Sequence, residues 1–167
     1  MGLFDFVKEA GAKLFGGDDD KPKSTVSVRE PSREDVERLQ ERKAASRLVK
    51  MVTDLGFEVE DFSVKVDDGV ATLSGKVGSQ SDKERIVLAV GNTAGIGRVD
   101  DRLEVETPEP EATFYTVKSG DSLSKIAKKH YGNAMKYPVI FEANKPMLSD
   151  PDKIYPGQVL RIPPLAD

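Results

Sequence analysis

The residues able to do chemistry in this chain are few in kind. Its one histidine, His130, stands between Lys129 and Tyr131 near a predicted helix end, and there is no cysteine. With no thiol and no serine in a nucleophile elbow, neither nucleophilic catalysis nor a thiolate metal site has its parts. His130 reads as a surface residue, and the chain reads as a non-enzyme. Acids number 29, so pairs arise by chance; Asp67-Asp68 and Asp100-Asp101 read as turn and strand-edge residues. The triplet Asp18-Asp19-Asp20 invites a calcium loop. An EF-hand laid from Asp18 fails, because Pro22 falls at the third ligand position, Lys23 where glycine is required and Arg29 where the bidentate Glu belongs.

The run Val90-Gly-Asn-Thr-Ala-Gly-Ile-Gly97 ends an apolar helical pattern. The last four carbonyls of a helix lack internal partners and sit at the negative end of its dipole. The glycines there can take positive φ and turn oxygens inward. Neutral carbonyls replace the water shell of a large, weakly hydrated monovalent cation, whereas carboxylates favour divalent ions. The same run also reads as an ordinary glycine cap and turn.

The elements around this run follow from periodicity. Residues 2–15 place Leu3, Phe4, Phe6, Val7, Ala10, Leu14 and Phe15 mostly three and four apart, which predicts an N-terminal amphipathic helix stopped by Gly16-Gly17. Its apolar face needs cover, and packing on the rest of the chain is expected. Residues 16–31 are polar and read as a flexible linker. Ser32-Arg-Glu-Asp35 resembles a capping box opening a long helix, with Val36, Leu39, Leu48, Val49, Val52 and Leu55 inward and Gly56 at its end. Phe62 to Val66 alternates as a strand, Asp67-Asp68-Gly69 signals a hairpin, and Val70 to Lys76 is the return strand. Ser81-Asp-Lys-Glu84 is expected to cap a second helix through Val90, and Val99 to Val105 closes as a third strand. Thr107 to Thr113 carries two prolines and two glutamates and reads as a short, stiff acidic linker.

The C-terminal pattern is a strand from Phe114, a turn at Ser119-Gly-Asp-Ser122, a helix from Leu123 to Tyr131, and a second helical stretch to Asn144. A last strand precedes Pro163. The fold class is therefore α+β in two small units, αββαβ over 32–107 and βααβ over 114–163, joined by 108–113. The first unit's stretch 32–113 carries a net charge of −6 and the remainder from 114 carries +3. The acidic stretch disfavours a nucleic-acid surface, and the basic end is suited to docking on it. No apolar run reaches the roughly 20 residues of a membrane span. The N-terminal stretch also lacks a signal peptide's uninterrupted apolar core and the myristoylation pattern, so a cytoplasmic protein is expected.

Several spaced elements carry resemblances. Tyr115-Thr-Val-Lys-Ser-Gly-Asp-Ser-Leu123, Ile126-Ala127, Tyr131-Gly132, Asn144 and Pro156-Gly157-Gln158 resemble a LysM domain. Val66-Asp-Asp-Gly-Val-Ala-Thr-Leu-Ser-Gly75 and Gly95-Ile-Gly-Arg-Val-Asp-Asp-Arg-Leu103 resemble a BON domain. The two in this order, behind Met-Gly-Leu-Phe-Asp-Phe-Val-Lys-Glu-Ala-Gly11, resemble the cytoplasmic potassium-binding proteins of bacteria.

That resemblance implies K⁺ held by main-chain oxygens of Val7, Ala10, Gly91, Thr93 and Ile96, in a monomeric ion sensor or buffer that compacts on binding. In such a protein the LysM-like unit docks on the BON-like one. The alternative is an envelope protein that binds N-acetylglucosamine polymers, as LysM domains do. Its groove would lie between Gly120, Asp121, Ser122 and Leu123 on one side and Met147, Leu148 and Tyr155 on the other.

Overall fold

The computed structural model of the 167-residue chain describes the backbone of residues 2–5 and, in full, residues 31–165. The first described segment departs from expectation. Gly2–Asp5 form a strand, β1, not the start of a helix, and the rest of the expected helix lies outside the described residues. A short apolar run does not distinguish strand from helix. The strand β4 (Arg98–Thr107) offers a row of backbone groups on its outer side, and β1 pairs with it antiparallel from Gly2 opposite Asp101 to Asp5 opposite Arg98. An isolated helix of this length would be marginal in water.

Helix α1 (Arg33–Asp54) opens with the capping box expected of Ser32 and Asp35. Only Leu48 and Val52 of its expected inner face are fully buried. Val36 and Leu39 remain exposed, because the core lies against the second half of the helix. Strands β2 (Glu60–Asp67) and β3 (Val70–Ser79) form the expected hairpin. Asp68 and Gly69 both take positive φ at its two-residue turn, the geometry that matches the twist of the flanking strands. Helix α2 (Gln80–Gly91) then crosses back, so that β4 lies parallel to β3 and the sheet order is β1-β4-β3-β2. Its cap is Ser79, whose Oγ accepts from the Asp82 N–H, and not Ser81. Glu84, expected within the cap, is buried in the second turn of the helix.

Alternate residues of β3 and β4 point to one face: Ala71, Leu73 and Val77 with Val99 and Leu103. They form one core with Leu48, Val52, Ile86, Val87 and Val90 of the helices. The same periodicity turns Asp101 inward, where Lys83 lies 3.4 Å away and the Leu103 N–H donates to it.

Residues 113–165 build a second core. Strands β5 (Thr113–Thr116) and β6 (Val159–Ile162) pair antiparallel, with α3 (Leu123–Tyr131), a 3-10 turn (Ala134–Lys136) and α4 (Tyr137–Ala143) between them. Gly132 caps α3 in the left-handed conformation that favours glycine. One member of this core comes from outside it. Leu88 of α2 packs among Val117, Ile126, Ile140 and Leu160, and burying it contributes about 1.5–3 kcal/mol.

Candidate functional site

Every residue of α2 from Ile86 to Gly91 is buried, as befits a helix that is apolar all round. One side serves the sheet and the other serves the C-terminal segment. The helix ends at Asn92, whose N–H donates to Leu88 O, and the Thr93 N–H then donates to Val90 O. Thr93 Oγ1 donates to Ala89 O at 2.9 Å. A turn follows in which the Ile96 N–H donates to Thr93 O, with Gly95 at φ +87°. Positive φ at the third residue of such a turn is the position that requires glycine. The amides of Gly97 and Arg98 both donate to Gly69 O, which fixes the turn to the β2–β3 hairpin.

These cap and turn bonds occupy the carbonyls of Leu88, Ala89 and Val90 and one of the two lone pairs of Thr93 O; among the described residues, none of these bonds uses the carbonyls of Gly91 and Ile96. The turn thus brings Gly91, Thr93 and Ile96 within six consecutive residues at the negative end of a helix. Val7 and Ala10 lie outside the described residues. Among the described residues no three His, Cys, Asp or Glu side chains gather as a metal site. The groups that the turn itself presents are backbone carbonyls, which are neutral oxygens.

Asn92, between two of these residues, is buried and reaches across to β6. Its Oδ1 accepts from the Val159 N–H and its Nδ2 donates to Val159 O, both at 2.9 Å. Asn144 treats Arg161 in the same way, accepting its N–H at 2.7 Å and donating to its carbonyl at 2.8 Å. Two side-chain amides thereby pair the edge of β6 that β5 leaves open. Nearer the start of α2, Glu84 accepts from Arg161 Nε in a buried ion pair, and also from Gln80 Nε2 and the Ala112 N–H. Arg85 donates to the carbonyls of Ala143 and Glu142 at the C-terminus of α4, where a cation suits the helix dipole. None of these roles was expected from the sequence. The available signal was a charge inside an apolar pattern, Glu84 before Ile86-Val90 and Arg161 within Val-Leu-Arg-Ile.

The residues expected of a glycan groove are largely committed to internal contacts. Asp121 accepts from Tyr115 Oη at 2.7 Å and from the Lys118 N–H at 2.9 Å, and these two bonds hold its carboxyl below the usual aspartate range. Gly120 accepts from Lys125 Nζ, and Ser122 caps α3. Leu123, Met147 and Leu148 are buried in the second core, with Met147 Sδ against Asn92 Nδ2. Tyr155 is half-buried, and burial pushes its phenol up to about 12. His130 is exposed, its ring edge-on to Tyr115.

The fold and these contacts define a two-domain protein of the BON-plus-LysM kind: the BON domain family matches residues 40–107 and the LysM domain family residues 115–163. The whole chain is similar to the Potassium binding protein Kbp of Escherichia coli, at 45% identity over 163 residues, 98% of this chain and 99% of that protein. The chain belongs to that family. Two further similarities are local. An uncharacterized protein of Deinococcus radiodurans is 59% identical over 51 residues, 19% of its length. An esterase of Mycobacterium tuberculosis is 47% identical over 53 residues, only 11% of its length, too little to carry an activity across. Among the described residues no helix is long and apolar enough to cross a membrane.

Proposed function

We propose that this chain is a cytoplasmic potassium-binding protein, a K⁺ sensor or buffer without enzymatic activity, built as domains 32–107 and 114–163 joined by 108–113. The observation that carries the reading is the turn after α2. There the carbonyls of Gly91 and Ile96 stay outside the capping bonds, at a helix end that offers neutral oxygens. K⁺ is held by the main-chain oxygens of Gly91, Thr93 and Ile96, with Val7 and Ala10 completing the shell. Asp5, the last residue of β1, lies opposite Arg98, the residue that follows the turn directly. The potassium in the name of the full-length Escherichia coli relative agrees with this reading.

Binding to the compact form alone stabilises it, by about 2.7 kcal/mol at a hundredfold excess over Kd. The test is thermal melting of the full chain in K⁺, Na⁺, Rb⁺ and Cs⁺ at matched ionic strength. The melting temperature rises with K⁺, and Rb⁺ and Cs⁺ act more strongly than Na⁺, which holds its water too tightly. Equal shifts with Na⁺ and K⁺ would sink the reading. Removal of residues 1–15 abolishes the K⁺ response if Val7 and Ala10 are ligands.

A further inference from the structure

We infer that Asn92 is the positioning residue that couples the ion-binding turn to the C-terminal domain, so that ordering the turn and seating β6 are one event. The inference rests on the potassium reading above and specifies how that site is regulated. Asn92 contributes its backbone to the turn and its side chain to the other domain. Its N–H closes the last helical bond to Leu88 O, and the candidate ligand carbonyls of Gly91 and Thr93 flank it. Its side-chain amide, buried at 2% exposure, makes both bonds that a neighbouring strand would make to Val159.

A primary amide offers one acceptor and two donors in one plane, and a backbone N–H and C=O pair presents the complementary set. The match depends on the Asn92 Cα–Cβ direction, which the φ and ψ of the turn set. If the turn rearranges, Val159 loses an acceptor and a donor together in a buried place, where unpaired polar groups are costly. Thr93 stiffens the arrangement by its bond to Ala89 O. The polar contacts that Glu84 and Arg85 make to the C-terminal domain, and the packing of Leu88 in its core, leave α2 one or more turns earlier and do not touch the ligand carbonyls. They hold the domains together without reporting on the ion.

Coupling of this kind is reciprocal: seating β6 raises K⁺ affinity by the same factor by which K⁺ favours seating. The experiment follows backbone amide resonances of the full-length chain during K⁺ titration, with Na⁺ as control, in wild type, Asn92→Asp and Arg85→Gln. Asn92→Asp keeps the shape but sets a carboxylate oxygen against Val159 O, and is the variant to use should Asn92→Ala fail to fold. In the wild type, amides around Gly91–Ile96 and those of Val159–Ile162 respond at one K⁺ concentration. In Asn92→Asp the turn still responds, at a K⁺ concentration higher by roughly 5- to 150-fold, and the β6 amides no longer follow it. Arg85→Gln loosens the end of α4 with and without K⁺ but keeps the two responses together, and a merely structural role for Asn92 would make Asn92→Asp behave in the same way.

The inference is overturned if β6 in Asn92→Asp follows K⁺ as in the wild type. It is equally overturned if both responses vanish, which would make Asn92 part of the ion shell itself. A wild type that responds alike to Na⁺ and K⁺, or to neither, refutes the potassium reading instead.

Discussion

At its first turns α2 meets the C-terminal domain with charge, through Glu84 to Arg161 and Arg85 to the end of α4. At its last residue it meets the same strand with a neutral amide, Asn92 to Val159. At the charged end Glu84 and Arg161 are buried. Glu84 has three partners, and its geometry owes nothing to the turn that follows. The neutral end is continuous with that turn. A protein that must answer to a monovalent ion gains from this separation, because a carboxylate at the turn would draw divalent ions, whereas a carboxylate two turns away can clamp the domains. Under the proposed function, holding and sensing fall to opposite ends of one helix.

The largest expected break in this comparison is at the clamp. Arg161→Met leaves the Glu84 carboxylate buried and without its cation, which costs about 3–5 kcal/mol, read as a fall in chemical-denaturation stability. Replacing both residues by methionine recovers much of that loss, short of the Ala112 N–H left without its acceptor. If Arg161→Met were neutral, the pair would not be a clamp.

A smaller effect is expected at the sensing end. Gly95→Ala meets no atom within 4 Å of the added Cβ, so only the backbone at φ +87° resists it, at a cost of roughly 1–2 kcal/mol. The same variant diminishes the K⁺-dependent rise in melting temperature, while Arg161→Met leaves the ion dependence in place. An undiminished K⁺ response in Gly95→Ala would separate the turn from the ion.

The structure also shows why the sequence revealed some of this and not the rest. The αββαβ and βααβ orders were legible because capping residues, the Asp68-Gly69 turn and strand alternation are local signals, each readable over a few residues. The glycine-rich end of α2 was legible for the same reason. The strand at Gly2–Asp5 was not, because it forms on the edge of β4, nearly a hundred residues away. Glu84 sits one turn into an amphipathic pattern and reads as a cap until the helix start is known to be Ser79. Asn92 looks like a terminator by composition, and only the docking of β6 shows that its side chain stands in for a strand. Val36 and Leu39 carried the right spacing but extend beyond the core they were expected to cover.

The smallest effect sharpens the comparison inside the sheet. Burial raises the carboxyl of Asp101 above the ordinary aspartate value, against the opposing Leu103 N–H bond and the nearby Lys83. A carboxyl raised on folding favours the protonated form. Its contribution to stability is full below the unfolded value near 3.8 and is lost as pH climbs through the raised folded value. Asp101→Asn keeps the acceptor for Leu103 and removes this contribution. Measured against the wild type, the variant should gain stability as pH rises from 3 to 7; a difference that does not change with pH would mean that Asp101 does not contribute to the pH dependence.

Carbonyl ¹³C shifts of the full-length protein during K⁺ titration read the turn's backbone oxygens, the proposed ligands, directly. The carbonyls of Gly91, Thr93 and Ile96, with those of Val7 and Ala10, should move together, saturate at one K⁺ concentration and stay still in matched Na⁺. Saturable K⁺ shifts elsewhere, with these carbonyls unmoved, would contradict that role for them.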